Sequence, residues 1–391
     1  MTLGPPTTLF DAPSGTPARK VVSVAAPWGP KHAGSTTGLP WMAARALRGR
    51  GFKDLRVYAV DRAGRVQPCR GTAAVFSAGW ILSAGQAGAV PLIEALLTEV
   101  APDARSWGLV PSAKDKTLLF VQTGHAALVV RLPHASAAVS AEQRAYDVLR
   151  SLESTGLAPR PHGSGQLGAQ AYFVEEHLPG RPVANGLQDT HRTALAKQAE
   201  SLLQALNPHL VQSPVCAVGD FIGCDVHRHV RSVLECLPER RDREHVEPLL
   251  LETVLPARSR LGRVHGDFSA ANLFIHQDKL IGVVDWEDSL PAAPPVLDVL
   301  NHLDSMQRRC HGQTLVDTIP QLARGDWPHA AERDWLDRAY HRSGVSDGDR
   351  FAMVLLYWLL HVGPQLAFAG AGAAAARQVT SVLERVLPWQ R

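Results

Sequence analysis

Three polar residues in one short segment have the types and the spacing that metal-assisted chemistry requires. Asp267 and Asn272 lie in the run HGDFSAAN at residues 265–272, and Asp285 follows after a short, mostly apolar stretch. Their carboxylate and amide oxygens suit the hard ion Mg²⁺, whereas a zinc site would need mainly nitrogen or sulfur donors. This segment is therefore the first candidate for a catalytic site.

The residues around this trio predict a β-hairpin that brings the polar groups together. Leu273–His276 and Leu280–Val284 are two apolar strands joined by a polar turn. Because a hairpin returns the chain antiparallel, the residue before its first strand and the residue after its second emerge at the same open end. Asn272 and Asp285 occupy those two positions, and Asp267 lies on the loop that enters the hairpin.

Phosphoryl transfer requires this combination of groups. A divalent metal neutralises the phosphates, and a further carboxylate orients the attacking hydroxyl and accepts its proton. In this interpretation Asn272 and Asp285 bind the metal and Asp267 is the catalytic base. The alternative is a surface turn rich in Asp and Asn. The chain has only four Asn residues, so HGDxxxxN would arise by chance in roughly one chain per thousand of this composition.

The run HGDFSAAN, with an apolar strand and then DWE at 285–287, resembles the catalytic and metal-binding loops of the aminoglycoside phosphotransferase and choline kinase-like superfamily. The resemblance covers residues 106–300 and implies an α+β, protein-kinase-like fold with a small β-rich lobe and a larger, mainly helical lobe. It implies Mg²⁺, ATP or GTP as phosphoryl donor, and a hydroxylated small molecule as acceptor, such as an aminoglycoside, a sugar or an amino alcohol. Asp298 matches a family aspartate with a structural role at the start of a helix.

The same resemblance assigns nucleotide contacts to the smaller lobe. Glu175, Glu176 and His177 lie in a segment similar to the family's hinge, whose backbone groups bind adenine. The strand that ends at Arg131 and the helix that carries Glu142 are similar to the elements that hold the family's phosphate-binding Lys–Glu pair. Arg131 replaces the lysine, and its expected partner is Glu142.

The nucleotide loop departs from the family pattern. Residues 111–116 read PSAKDK, without a glycine to let the backbone approach phosphate closely. Ser112, Lys114 and Lys116 are candidates for phosphate contacts, and a solvated turn is the alternative for the two lysines. With Arg131, these departures motivate a second hypothesis, a pseudokinase-like regulator that binds nucleotide. The retained Asp and Asn residues of the catalytic segment argue against it.

Hydrophobic periodicity divides the chain into three parts. Residues 1–100 form an extension of uncertain fold, in which Leu55–Val60 and Val66–Arg70 predict a hairpin. Residues 101–178 alternate short strands with one helix, and residues 179–391 are mainly helical. The predicted strands of the middle part are Ser106–Val110, Thr117–Val121, Ala126–Leu132 and Ala171–Glu175. Predicted helices lie at Val90–Val100, Thr190–Leu206, Arg228–Leu237 and Phe351–Leu360.

The helix of the middle part has a predicted start. Ser140 with Gln143 three residues later has the spacing of a capping box, so this helix is expected to begin at Ser140. Six aspartates downstream of the hairpin are candidates for an acidic cleft that would take a cationic acceptor, but nearby arginines offset them. They are Asp288, Asp298, Asp304, Asp326, Asp334 and Asp337.

Composition narrows the class of protein. Hydrophobic residues make up 45% and charged residues 20%, which is typical of a soluble globular protein. Five widely spaced cysteines without a CxxC pair argue against a disulfide framework or zinc cluster and favour a reducing compartment, the cytoplasm. Gly71–Ile93 and Phe351–Ala376 lack charged residues, but Gly, Ser, Ala and Pro dilute them, so they are expected to be core segments and not membrane spans.

Charge is distributed unevenly along the chain. Residues 1–110 carry 12 Lys and Arg against 6 Asp and Glu, within a net charge of +3 for the whole chain. This excess motivates a third hypothesis, in which residues 1–100 are a separate binding module for a polymer. No dense basic run with interleaved aromatics is present, so a nucleic acid partner is not expected. The oligomeric state is left open.

Overall fold

The computed structural model describes residues 20–24, 55–60, 66–68, 79–84, 91–104, 106–111, 116–133, 136–168, 170–184, 188–237, 239–369 and 372–387. The chain divides after Leu178 into two compact units. In the part of the chain that is described, the first unit holds two antiparallel sheets and two α-helices, and the second is mainly helical.

The first sheet belongs to the segment whose fold the sequence left uncertain. Its strands, in chain order, are β1 (Lys20–Val24), β2 (Leu55–Val60), β3 (Val66–Pro68) and β4 (Gly79–Ala84). The spatial order is β1-β4-β2-β3. The predicted hairpin is present, since β2 pairs antiparallel with β3 and Val60 lies opposite Val66; its turn falls outside the described residues. The sequence pattern missed β1 and β4. Helix α1 (Pro91–Val100) follows, close to its predicted bounds.

The second sheet has five antiparallel strands in the order β5-β6-β7-β9-β8. They are β5 (Ser106–Pro111), β6 (Lys116–Gln122), β7 (Ala127–Pro133), β8 (Pro161–Leu167) and β9 (Gln170–Glu176). Alternate residues of β6, β7 and β9 form a core with α1: Leu96, Leu119, Val121, Leu128, Val130, Leu132, Tyr172 and Val174. Because side chains alternate between the two faces of a strand, the residues between these face the other way, and Leu118, Arg131 and Phe173 share that second face.

Helix α2 (Ser136–Leu152) follows the central strand β7. It buries Glu142, Ala145, Tyr146 and Leu149, and the Tyr146 ring lies 5.9 Å from the Phe173 ring of the sheet. The predicted N-cap at Ser140 is wrong, because the helix begins four residues earlier, at Ser136. The Ser140 hydroxyl instead donates to the Ser136 carbonyl (3.2 Å), the local bond by which serine is accommodated inside a helix.

The second unit contains eight α-helices among its described residues. They are α3 (Arg192–Leu206), α4 (Gly219–Leu234), α5 (Arg240–Val254), α6 (Val296–His311), α7 (Leu315–Arg324), α8 (Ala330–Arg342), α9 (Arg350–Ala369) and α10 (Ala373–Val386). Helix α9 is apolar on all sides and is buried from Ala352 to Leu359, as expected of a helix in the centre of a helical unit. In the described part of the chain, no helix combines the length and the apolar character needed to cross a membrane.

Two helices of the second unit extend well beyond their predicted bounds. Helix α9 ends at Ala369 instead of Leu360. Helix α4 begins at Gly219, well before the predicted start at Arg228, and has a kink at Ile222. Two short strand pairs escaped prediction because each strand has only three or four residues. They are β11 (Val215–Ala217) with β12 (Arg258–Arg260), and β13 (Gly262–Val264) with β16 (Leu290–Ala293).

Candidate active site

The predicted catalytic hairpin is present. Strands β14 (Leu273–His276) and β15 (Lys279–Val283) pair antiparallel, and the two-residue edge strand β10 (Arg181–Pro182) adds to β14. The two turn residues, Gln277 and Asp278, have φ of 48° and 62°. Two left-handed residues form the type I′ turn whose twist matches that of paired strands. The turn is therefore one residue shorter than predicted.

The open end of the hairpin holds Asn272 in a defined orientation. The Val284 N–H donates to the Asn272 carbonyl (3.0 Å), which extends the strand pairing by one step. The Asn272 Nδ2 donates to both the backbone carbonyl (2.9 Å) and the Oδ2 (2.8 Å) of Asp267. These two bonds fix the Asp267 carboxylate and turn the Asn272 Oδ1 away from it. The sequence predicted this convergence, and the structure contains it.

Asp285 lies just beyond β15 in an unusual backbone conformation. Its φ of 67° and ψ of 63° are left-handed, a region that costs a non-glycine residue roughly 1–2 kcal/mol. The residues on both sides hold it there, since Val284 bonds Asn272 and the Trp286 Nε1 donates to the Val283 carbonyl (2.9 Å). Strained backbone of this kind concentrates at functional sites.

His265 connects the catalytic loop to the end of β15. Its Nε2 donates to the Val284 carbonyl (2.9 Å) and its Nδ1 accepts from the Asp267 N–H (3.2 Å). Complete burial lowers the pKa of His265, so the ring is neutral with its proton on Nε2. Its ring centroid lies 4.4 Å from that of Trp286. His265 thus supports the loop under Asp267 through its two hydrogen bonds.

Asp298, in the first turn of α6, holds the other side of the loop. Its carboxylate accepts from the backbone N–H groups of His265 (2.7 Å) and Gly266 (3.0 Å). Burial raises the pKa of Asp298 to about 7, although the two N–H donors work against that rise. Gly266 has φ of 88°, and a Cβ there would lie 2.2 Å from the Asp288 carbonyl oxygen. The loop therefore requires glycine at 266. The contacts of Asp298 are structural, as the family resemblance implies.

A second cluster of charges lies within the first unit, on the face of the sheet that carries Arg131. The Lys116 Nζ lies 2.7 Å from the Glu142 Oε1, and the Arg131 Nη2 lies 2.8 Å from the Glu175 Oε1. The Arg131 Nε is 3.9 Å from the Glu142 Oε2. The expected pairing of Arg131 with Glu142 is thus present only as a long ion pair, and each of the two residues has a closer partner. Lys116 is the close partner of Glu142, and Glu175 is the close partner of Arg131.

The predicted nucleotide loop is described only at its ends. Pro111 ends β5 and Lys116 begins β6. Ser112 and Lys114 lie outside the described residues, so their phosphate contacts stay predictions. Of the three loop candidates, the structure brings Lys116 into the charge cluster.

Two backbone N–H groups of the segment that resembles a hinge form hydrogen bonds within the first unit. The Glu176 N–H donates to the Arg160 carbonyl and the His177 N–H to the Ala127 carbonyl, both at 2.8 Å. Burial lowers the pKa of His177, which favours a neutral ring, and this ring lies edge-on to Phe120 at 5.8 Å. Adenine contacts by Glu175, Glu176 and His177 stay a prediction.

Sequence comparison decides the family. The profile of the phosphotransferase enzyme family, APH, matches residues 110–341, which is more than half of the chain. This chain belongs to that phosphotransferase family. The matched region contains the cluster around Lys116 and all the catalytic-loop residues described above. No curated protein is a significant sequence match to the chain.

Solved structures share the fold of this chain. A protein from Ralstonia eutropha JMP134 that is assigned to the aminoglycoside phosphotransferases is 16% identical, with a TM-score of 0.53 over 76% of this chain and 99% of that one. A thermostable mutant of aminoglycoside phosphotransferase APH(4)-Ia, in a ternary complex with AMP-PNP and hygromycin B, is 14% identical, with a TM-score of 0.54 over 76% and 100%. At these identities the likeness establishes the fold, and the predicted kinase-like α+β fold is confirmed.

The six aspartates proposed for an acidic cleft in this phosphotransferase have different partners. Asp298 binds the catalytic loop, and Asp304 is buried between Tyr357 and Arg308. Asp326 and Asp337 form ion pairs with Arg324 and Arg350 respectively. At least four of the six carboxylates thus already have partners among the protein's own groups, which reduces what they could offer a polycation.

Two site features of this family member escaped the sequence analysis. The Glu175 side chain binds Arg131, whereas the sequence assigned only a backbone role to this hinge residue. The pairing of Lys116 with Glu142 was missed as well. Strand alternation could have indicated both, because Lys116 and Glu175 have the parity that puts them on the Arg131 face of the sheet.

Asp298→Asn is expected to lower the free energy of unfolding by about 1–3 kcal/mol, because an amide can accept only through its oxygen and leaves one buried N–H unsatisfied. Urea denaturation measures this change. Asp347→Asn is the matched control, because the Asp347 side chain is 92% exposed and its ion pair with Arg350 lies at the surface, so its replacement should cost less than about 1 kcal/mol. Equal stabilities for the two variants would contradict the role of Asp298 in holding the loop.

Proposed function

We propose that this protein transfers the γ-phosphoryl group of ATP or GTP to a hydroxyl of a small molecule, with Asp267 as the catalytic base. The observation that carries the proposal is the oriented Asp267 carboxylate, which the Asn272 amide binds at 2.8 Å. His265 and Asp298 immobilise the backbone on which Asp267 stands. A general base must be positioned before its basicity is useful, and this loop supplies that positioning.

The proposed reaction is an in-line displacement at phosphorus. The acceptor oxygen forms a bond to the γ-phosphorus while the bond from that phosphorus to the β,γ-bridging oxygen breaks, and ADP or GDP leaves. The hydroxyl proton passes to Asp267. A neutral His265 donates its Nε2–H to the Val284 carbonyl. It could accept the hydroxyl proton only at Nδ1, and this atom already accepts the hydrogen bond of the Asp267 N–H.

The chain's own residues fit a magnesium ion. Asn272 and Asp285 supply amide and carboxylate oxygens, and the bonds from the Asn272 Nδ2 to Asp267 leave its Oδ1 as the ligand atom. Oxygen-only donor sets suit Mg²⁺. When bound, Mg²⁺ would neutralise charge on the β- and γ-phosphates. Asp285 lies just beyond β15, in a left-handed backbone conformation, so it follows the strand at the open end of the hairpin.

The acceptor class that we propose is a hydroxylated small molecule: an aminoglycoside, a sugar or an amino alcohol. Aminoglycosides are included because the structurally similar APH(4)-Ia binds hygromycin B. The dispersed partners of the candidate aspartates support neutral acceptors at least as well. We place the reaction in the cytoplasm, and the free thiols of Cys216, Cys224, Cys236 and Cys310 support a reducing compartment.

A screen of nucleoside triphosphate consumption tests the proposal. ATP and GTP are each incubated with Mg²⁺ and with panels of aminoglycosides, sugars, amino alcohols and nucleosides. We expect diphosphate to form only when an accepted panel member is present, and mass spectrometry should show one added phosphoryl group on that molecule. Nucleotide binding without turnover in any panel would instead support the pseudokinase-like regulator.

A further inference from the structure

We infer that Lys116, and not Arg131, is the cation that binds the nucleotide phosphates, and that Glu142 holds it in place. The inference deepens the proposed function and rests on it. It moves the phosphate-binding charge from strand β7, where the family resemblance puts it, to the neighbouring strand β6. The argument depends on strand register, on the choice of ion-pair partners and on burial.

Strand register explains how the charge can move without leaving the site. Strands β6 and β7 pair antiparallel, with Leu118 opposite Arg131 and Lys116 opposite Pro133. Lys116 is two residues from Leu118, so it projects from the same face as Arg131 and is its diagonal neighbour. Diagonal positions in a sheet are within reach of long side chains. A lysine at 116 can therefore occupy the space in front of α2 that a lysine at 131 would occupy.

The ion-pair distances show which cation Glu142 holds. Lys116 approaches Glu142 to 2.7 Å, whereas the closest approach of Arg131 is 3.9 Å. Arg131 instead bonds Glu175 at 2.8 Å. The Lys–Glu pair between sheet and helix that kinase-like phosphotransfer uses is thus complete in this protein, with its lysine supplied by β6.

The burial of Lys116 and Glu142 indicates that this ion pair positions a charge and does not mainly stabilise the fold. Lys116 and Glu142 are 3% and 2% exposed, and a buried ion pair usually adds little net stability because desolvation offsets the attraction. The guanidinium fork of an arginine suits a phosphate as well as a carboxylate, but the Arg131 Nη2 already binds the Glu175 carboxylate at 2.8 Å. Lysine is a compact point charge that also binds phosphate.

Nucleotide binding distinguishes the two cations. Calorimetry with Mg²⁺ present measures the affinities of ADP and of adenosine, which lacks phosphate, for Lys116→Met and Arg131→Met. Lys116→Met should weaken ADP binding about 10- to 100-fold, the range for one charge-assisted hydrogen bond, and leave adenosine binding unchanged. Arg131→Met should weaken ADP binding less. The matched control is Arg150→Met, which removes a cation from the exposed side of α2.

Four further outcomes have defined meanings. A larger loss of ADP affinity in Arg131→Met, or an unchanged ratio of ADP to adenosine affinity in Lys116→Met, overturns the inference. If Lys116→Met does not fold, the double variant Lys116→Met/Glu142→Met replaces it, because it leaves no lone charge at either position of that pair; its ADP affinity is judged by the same criteria. A wild-type protein that binds neither ATP nor ADP contradicts the proposed function itself, which separates the two failures.

Discussion

Asp267→Asn is expected to lower kcat by about 10²- to 10⁴-fold, the usual contribution of a general base, while nucleotide affinity stays within a few-fold. The physical reason is that the substitution keeps the shape of the side chain. An amide oxygen can still accept the bond that Asn272 donates to the Asp267 Oδ2, so the loop should retain its conformation and lose only the group that accepts the proton. Steady-state kinetics with an acceptor from the screen measure kcat, and calorimetry measures nucleotide affinity.

The control for this variant is Asp278→Asn in the turn of the same hairpin. Asp278 is exposed and has a left-handed backbone that asparagine also tolerates. Asp278→Asn removes the same charge at the opposite end of the same hairpin and should leave kcat unchanged. If Asp267→Asn retained more than about a tenth of the wild-type kcat, Asp267 would not be the base.

Asp285→Ala is expected to abolish the Mg²⁺-dependent part of ATP binding. The carboxylate of Asp285 is one of the two proposed metal ligands, and without it only the Asn272 amide remains of that pair. Calorimetric titration of ATP with and without Mg²⁺ tests this directly, since wild-type affinity should rise when Mg²⁺ is added and the variant's affinity should not. The readout is binding, so it does not depend on knowing the acceptor.

Asp285→Asn separates the loss of the carboxylate from a change in backbone. The backbone at 285 is left-handed, with φ of 67°. Asp and Asn tolerate this conformation because of their short polar side chains, whereas alanine does not. Asparagine keeps that tolerance and removes only the charge. Both variants should lose the Mg²⁺ effect. An Asp285→Asn protein with the full Mg²⁺ enhancement of ATP affinity would place the metal elsewhere.

The catalytic segment could be predicted from the sequence because its geometry is local. Asn272, Leu273–His276, the turn at Gln277 and Asp278, and Lys279–Val283 are consecutive, and the hairpin forms through their own pairing. A turn with two left-handed residues aligns the strands, and alternation then decides where the flanking polar residues emerge. The error of one residue at the turn did not change the ends of the hairpin, so the convergence of Asp267 and Asn272 followed.

Element boundaries were less predictable where a side chain has two local options. The spacing of Ser140 and Gln143 fits an N-cap, but a serine can also lie inside a helix. In the structure the Ser140 hydroxyl donates to the Ser136 carbonyl within the helix. The early turns of α4 likewise include Gly219 and a kink at Ile222, and neither residue favours a helix by itself. Tertiary packing extends both helices beyond what propensity indicates.

The sequence by itself determined the kinase-like fold class, and it led to the proposals for the catalytic base and the metal ligands, because these follow from a short motif and the elements next to it. Only the tertiary structure decided the partners in the charge cluster, since Lys116 and Glu142 are 26 residues apart and Arg131 and Glu175 are 44 apart. It also identified the two backbone N–H groups that Asp298 binds, across 33 and 32 residues. Such pairings depend on strand register and helix placement, and a one-residue change in register would move a side chain to the opposite face of the sheet.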